Sequence, residues 1–209
     1  MRIRLWQLVV AWPLRGLYAA LVFAILIFSS STGHAQESGV NLDPAQTTIE
    51  FTLVTTLHTV HGTFKIKSGH ISFDPATGKA SGAIVVDSAS GDSDNESRDK
   101  KMHQQILESQ KYPEIVFTPQ HVKGAINPQG ISQVELSGVF RIHGQDHDIT
   151  MAFSVQPPTG DKVQASTHFS VPYVQWGIKS ASTLLLHASD TVEIEVHASG
   201  QLIPTGPHR

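Results

Sequence analysis

The sequence predicts an all-β domain, antiparallel throughout, with one short helix set among the strands. Three observations predict it. Apolar and polar residues alternate at period two from about Gln46 onward, turn-forming residues punctuate the alternating runs, and one charged, helix-favouring stretch lies between residues 96 and 113.

The strands follow in order. In "TIEFTLV", Ile49, Phe51 and Leu53 share one face, while Thr48, Glu50 and Thr52 share the other. The pattern returns in "GTFKIKS" with Phe64 and Ile66, in "HISF" with Ile71 and Phe73, and in "EIVFT" with Ile115 and Phe117. "VELSGVFRI" offers Val134, Leu136 and either Val139 or Phe140, and "DITMAFSV" offers Ile149, Met151, Phe153 and Val155. "THFSV" contributes Phe169 and Val171, and "TVEIEVHA" contributes Val192, Ile194 and Val196. Between these runs stand Asp74 to Gly78, Gly124 to Gly130, His143 to Asp146 and Pro157 to Asp161, each rich in residues that accept turn dihedrals. About eight strands in meander order, apolar on one side only, bury those sides either as a sandwich or by closing into a barrel. Closure also removes exposed strand edges.

The helix is expected over residues 98 to 109. Asp94, Asn95 and Ser97 are candidate N-caps, Met102, Ile106 and Leu107 lie near one stripe, and Pro113 disfavours helix at Tyr112. Three apolar residues are too few for a core, so the helix is expected to lie over an opening or edge of the sheet. The preceding acid-rich "DSASGDSDNE" lacks the glycine and bidentate Glu positions of a calcium loop and reads as a solvated loop that caps the helix.

Ahead of the strands, Arg2, Arg4 and Arg15 precede an apolar run from Leu17 to Phe28 and then a small-residue site ending at Ala35. This pattern predicts a secretory signal at residues 1–35, cleaved to leave a periplasmic or secreted protein. The alternative is a retained anchor, but the run falls short of the roughly 20 residues a spanning helix needs. Residues 36–45 are expected to be a flexible lead-in. Removing three Arg from 15 basic residues leaves 12 against 18 acidic ones, a formal charge of −6 with His neutral. An acidic chain without a Lys/Arg cluster argues against nucleic-acid binding. With no Cys, there is no disulfide framework, thiol nucleophile or cysteine-built metal site.

Eleven of the 12 His lie beyond Ala35. His58 with His61, His143 with His147, and His103 on the helix are the sets to consider for Zn or Cu, but an offset of three on a strand points side chains to opposite faces. Scattered surface His is the commoner case, so no metal ligand or cofactor is assigned. Gly-x-Ser-x-Gly, Ser-x-x-Lys, paired cleft carboxylates and phosphate-cradling glycine loops find no convincing match, so no catalytic residue is assigned.

Several motifs in sequence order resemble the YceI-like family of exported proteins. They are "HTVHGTF" at 58–64 within its flanks, Arg98-Asp99, "KYPEIVF" at 111–117, "GVFRIHG" at 138–144 and "WGIK" at 176–179. The likeness covers residues 46 to 202. It departs from the commoner pattern at Glu108-Ser109-Gln110 and at "HGQDHD", residues 143–148. The resemblance implies an extended, eight-stranded, lipocalin-like antiparallel barrel over residues 46–203, with the short helix at its rim. It also implies a binding protein without a settled catalytic activity, holding a long apolar lipid such as a polyisoprenoid, quinone or fatty-acid derivative; the alternatives are a His-rich metal-binding or enzymatic barrel and a ligand-free stress-protective domain. In such a barrel Phe51, Leu53, Phe64, Ile66, Ile115, Phe117, Phe140, Met151, Phe153, Phe169 and Trp176 line the interior, around a ligand or as packed core. Arg98, Asp99, Met102, Ile106 and Tyr112 form the rim, either as a lid or as a structural plug. Transient membrane contact and a homodimer are both compatible with this reading.

Overall fold

The computed structural model describes residues 38–204. The expected signal segment, with Gln36 and Glu37, lies outside the described residues. Strands β1 (Ser38–Leu42), β2 (Thr48–Val54), β3 (Thr59–Phe73) and β4 (Ala80–Asp92) precede helix α1 (Glu96–Lys101) and a turn of π-helix (Met102–Ile106). Strands β5 (Glu114–Lys123), β6 (Ser132–Ile142), β7 (Gln145–Val155), β8 (Lys162–Val171) and β9 (Val192–Pro204) follow. All pairings are antiparallel, those from β2 to β9 run between chain neighbours, and β2 pairs β9 to close the sheet into a barrel. The described residues form one compact unit that holds every strand. Among the described residues, no helix is long and apolar enough to cross a membrane.

Nine strands make eight staves. β2 pairs the first half of β3 and of β9, while β1 pairs their second halves, Ser38 against Phe73 and against Pro204. Thus β1 and β2 form one stave interrupted at Asp43-Pro44, where the Asp43 carboxylate accepts from Ala45 N (2.9 Å) in a tight turn. This corrects the expected flexible lead-in. Without Val40 and its neighbours, the ends of β3 and β9 would be left as open edges.

Three further elements differ from the sequence expectation. "GTFKIKS" and "HISF" are one strand, β3, in which a register irregularity between Ile66 and Ser68 moves the inward side from even to odd positions. "DSASGD" is not a solvated loop but the end of β4, with Ser88 and Gly91 buried. The β5 strand also runs past Pro119, which is fully buried opposite Gly138 beside a second register shift. Proline cannot donate to the ladder, and the bulge accommodates that loss.

The turns fall at two ends. At the helix end lie the β2–β3 turn, α1, the β6–β7 turn and the long β8–β9 connection; the other three turns lie at the far end. The β6–β7 hairpin is a two-residue turn with positive φ at His143 (51°) and Gly144 (75°), the type whose twist suits antiparallel strands. Arg141 grips Asp146 with both Nε (2.6 Å) and Nη2 (2.8 Å) across this hairpin. Hydrogen bonding to that guanidinium holds the Asp146 carboxyl below its ordinary pKa. β7 and β8 pair over only three residues, Phe153 to Val155. Beyond that, the start of the β8–β9 connection packs in, with Tyr173 and Ile178 buried beside Val171, Ile142 and Ile106.

Candidate functional site: an apolar cavity through the barrel

The inward faces do not meet at the barrel axis. They leave a cavity of about 420 Å³ whose wall is almost entirely carbon. From β2 come Phe51 and Leu53, from β3 Phe64 and Ile66, and from β5 Ile115 and Phe117. β6 supplies Phe140 rather than Val139, β7 supplies Met151 and Phe153, and β8 supplies Phe169. The structure therefore brings together ten of the eleven residues expected on the interior. Aromatic contacts brace the wall: Phe51 lies 5.5 Å from Phe64, and Phe140 lies 6.3 Å edge-on from Phe169.

Trp176 is the exception. It sits in the irregular segment after β8, where strand alternation no longer sets the direction of a side chain. Its ring stacks on His147 at 4.1 Å and 7° and touches Phe140 from behind, outside the cavity.

Arg98, Met102 and Ile106 border the cavity at the helix end. Asp99 and Tyr112 do not. Asn95 caps α1, accepting from Arg98 N (2.9 Å). The buried Ser93 at the end of β4 receives Arg98 Nε on its hydroxyl (2.7 Å), while its own N–H and hydroxyl donate to the Asp99 carboxylate (N–H 3.1 Å). Arg98 Nη2 also donates to the Ser93 carbonyl. The charged pair thus clasps the helix start to the barrel while the Arg98 stem faces the cavity. After Lys101 the α-helical pattern yields to a π turn, with Leu107 N donating to Met102 O (2.8 Å), in place of the continuous helix expected to residue 109. Met102, Ile106 and Leu107 all reach the cavity wall as a result.

Tyr112 works on the outer side. Its ring covers Gly144, where a Cβ would collide with it, and lies 4.3 Å from His143. His143 Nε2 in turn meets the Glu108 carboxylate at 2.8 Å. Glu108 and His143 belong to the two stretches that depart from the commoner family pattern, and in the fold they contact each other.

Periodicity alone did not find the β8–β9 connection, which supplies Tyr173, Ile178 and Leu186 to the cavity. Nothing in "IKSASTLLLHAS" alternates. Of its three consecutive leucines only Leu186 reaches the cavity. The His sets do not converge: His58 borders the cavity, His61 bonds Thr52 on the outside, and His103 Nε2 bonds Gly91 O (2.8 Å). Among the described residues, no three His, Asp or Glu side chains are placed to hold one ion.

The comparisons with known proteins agree with this architecture. A family model described as the YceI-like domain matches residues 41–199. Among solved structures, Burkholderia cenocepacia BcnA is 17% identical with a TM-score of 0.62, covering 76% of this chain and 98% of its own. A polyisoprenoid binding domain from Saccharophagus degradans, implicated in plant cell wall breakdown, is 14% identical with a TM-score of 0.55, covering 78% and 97%. The Campylobacter jejuni YCEI protein is 23% identical with a TM-score of 0.53, covering 68% and 84%. None of the curated proteins compared matches the chain. With the family pattern spanning residues 41–199 and the fold shared with these structures, the chain belongs to the YceI-like domain family.

Proposed function

We propose that this chain is an extracytoplasmic carrier that binds one long apolar lipid in the barrel interior, without catalysing a reaction on it. The cavity carries this reading. Its 420 Å³ lies within the roughly 300–1,000 Å³ of small-molecule sites, and its carbon wall suits a hydrocarbon chain. Each CH₂ moved from water into such a wall contributes about 0.8 kcal/mol, so affinity grows with chain length rather than with any single polar contact. The polyisoprenoid-binding description of the Saccharophagus degradans domain supports the same ligand class. Export rests on the charged, apolar and small-residue pattern of residues 1–35.

Native mass spectrometry of protein purified without detergent, followed by organic extraction, tests the proposal. One long-chain lipid per chain is expected. Bare protein that also fails to take up an added long-chain lipid would overturn it.

The clasp at Ser93 gives a second test. Arg98→Ala removes the guanidinium whose two hydrogen bonds to Ser93 hold the helix over the cavity, so bound lipid should leave at least about tenfold faster, as expected for the loss of charge-assisted hydrogen bonds. Because the barrel strands are untouched, Tm should fall by only a few degrees. A matching collapse of folding would make the helix a plug rather than a lid.

A further inference from the structure

We propose that the helix end carries a membrane-docking tip, built from two joined turns that border the cavity, which enters the interfacial layer of a lipid bilayer. The first turn, Thr55–His58, is closed by Thr55 N donating to His58 O (3.1 Å) and Thr55 Oγ1 donating to the same carbonyl (2.6 Å). It displays Leu57 at 74% exposure, next to Val54 at 55%. The second turn, Thr183–Leu186, is closed by Thr183 N donating to Leu186 O (2.8 Å). Its two central residues, Leu184 and Leu185, are 100% and 89% exposed.

The two turns form one projection. Thr56 N donates to His187 O (2.9 Å), Ser189 N donates to Val54 O (2.8 Å), and Thr55 bridges Ala188. The same turns also contribute to the cavity wall, through Thr55, His58, Thr183 and Leu186. Outward leucines and an inward apolar lining are therefore adjacent parts of one barrel end.

Turn chemistry does not call for these leucines. Central turn positions favour Gly, Asn, Asp or Pro, and a fully exposed Leu adds nothing to the turn itself. A protein partner is poorly suited to the patch, since stable interfaces take about 20–30 residues a side and this tip offers four large apolar side chains. Interfacial insertion scales with buried apolar area and works with a few such side chains on a rigid support. As a route for the cargo to pass between bilayer and cavity, the tip rests on the lipid-binding reading above; as a docking element it does not.

The test is co-sedimentation of the chain from Gln36 onward with vesicles of phosphatidylcholine and phosphatidylglycerol. The chain is expected to sediment with them, and Leu184→Ser with Leu185→Ser is expected to weaken binding by about tenfold or more, with an unchanged melting curve. Because the chain has no Cys, Leu57→Cys takes a single environment-sensitive dye. Its emission should shift to the blue on adding vesicles, whereas a dye at Gln129→Cys, in the far-end turn between β5 and β6, should not respond. Failure to sediment, equal sedimentation of the serine variant, or equal shifts at both dyes overturns the proposal. So does a dimer that the serine variant separates while vesicles remain unbound. Extraction of the same samples keeps the two readings apart. Cargo present with no vesicle binding overturns docking alone, and tip-dependent vesicle binding without cargo supports docking while counting against the carrier.

Discussion

Replacing Val196 and Ala198 together by Phe is expected to abolish lipid retention while leaving the barrel folded. Both side chains face the cavity from consecutive inward positions of β9, opposite Thr167 and Ala165 of β8. In a packed core, two added rings would cost about 1–3 kcal/mol each through overpacking. Here they enter space that is already open, so Tm should hold or rise as the rings gain contacts. Lipid recovered per chain should fall by at least about tenfold, because the added carbon takes the volume the hydrocarbon would occupy. Organic extraction and a thermal melt on the same preparation give both readouts. A variant that melts normally and still carries lipid would place the ligand outside the lumen. One that unfolds calls for Val196→Phe alone, which adds less bulk and poses the same question.

Gly62→Ala is expected to destabilise the barrel by about 3 kcal/mol, lowering Tm by about 6–12 °C. Gly62 stands directly across from Phe51, and the Phe51 ring lies over it. A Cβ there would run into that ring and into the Asp92 carbonyl, which is backbone and cannot swing away. The clash falls where Thr63 pairs Asp92, the last pairing of β3 with β4 before the chain enters the helix clasp. Gly39→Ala is the control. Its Cβ would meet neighbours no closer than 3.5 Å, so a near-neutral melt is expected. Equal melting of the two variants would show that the close approach at Gly62 is not needed for closure.

Much of the barrel was legible because a half-buried strand writes its environment into a period of two. Phe51, Phe64 and Ile66 alternate with polar neighbours, Met151 and Phe153 with small or polar ones, and the fold turns each of them inward. Where that period breaks, the sequence became ambiguous. Ile66 and Ile71 differ by an odd number of positions, which suggested two strands until the bulge near Lys67 joined them. Val139 and Phe140 were equally good candidates until pairing of Phe140 with His147 on β7 set the register. Trp176 read as interior because it is large and apolar, yet no strand carries it, and the His147 ring offered a better surface outside the cavity.

By itself, the sequence determined the antiparallel strand class, most inward residues on the strands that alternation marked, the place of the helix among the strands, and the family motifs. These are local properties, decided by dihedral preference and by which side of a strand is apolar. The tertiary structure alone decided that β1 completes a stave, that Glu108 meets His143, that the β8–β9 connection helps line the cavity, and that an open lumen remains. Those outcomes depend on which distant segments share an edge and how far apart closure holds the inward faces. Alternation along a chain states which side is buried; only the closed sheet states how much space is left within it.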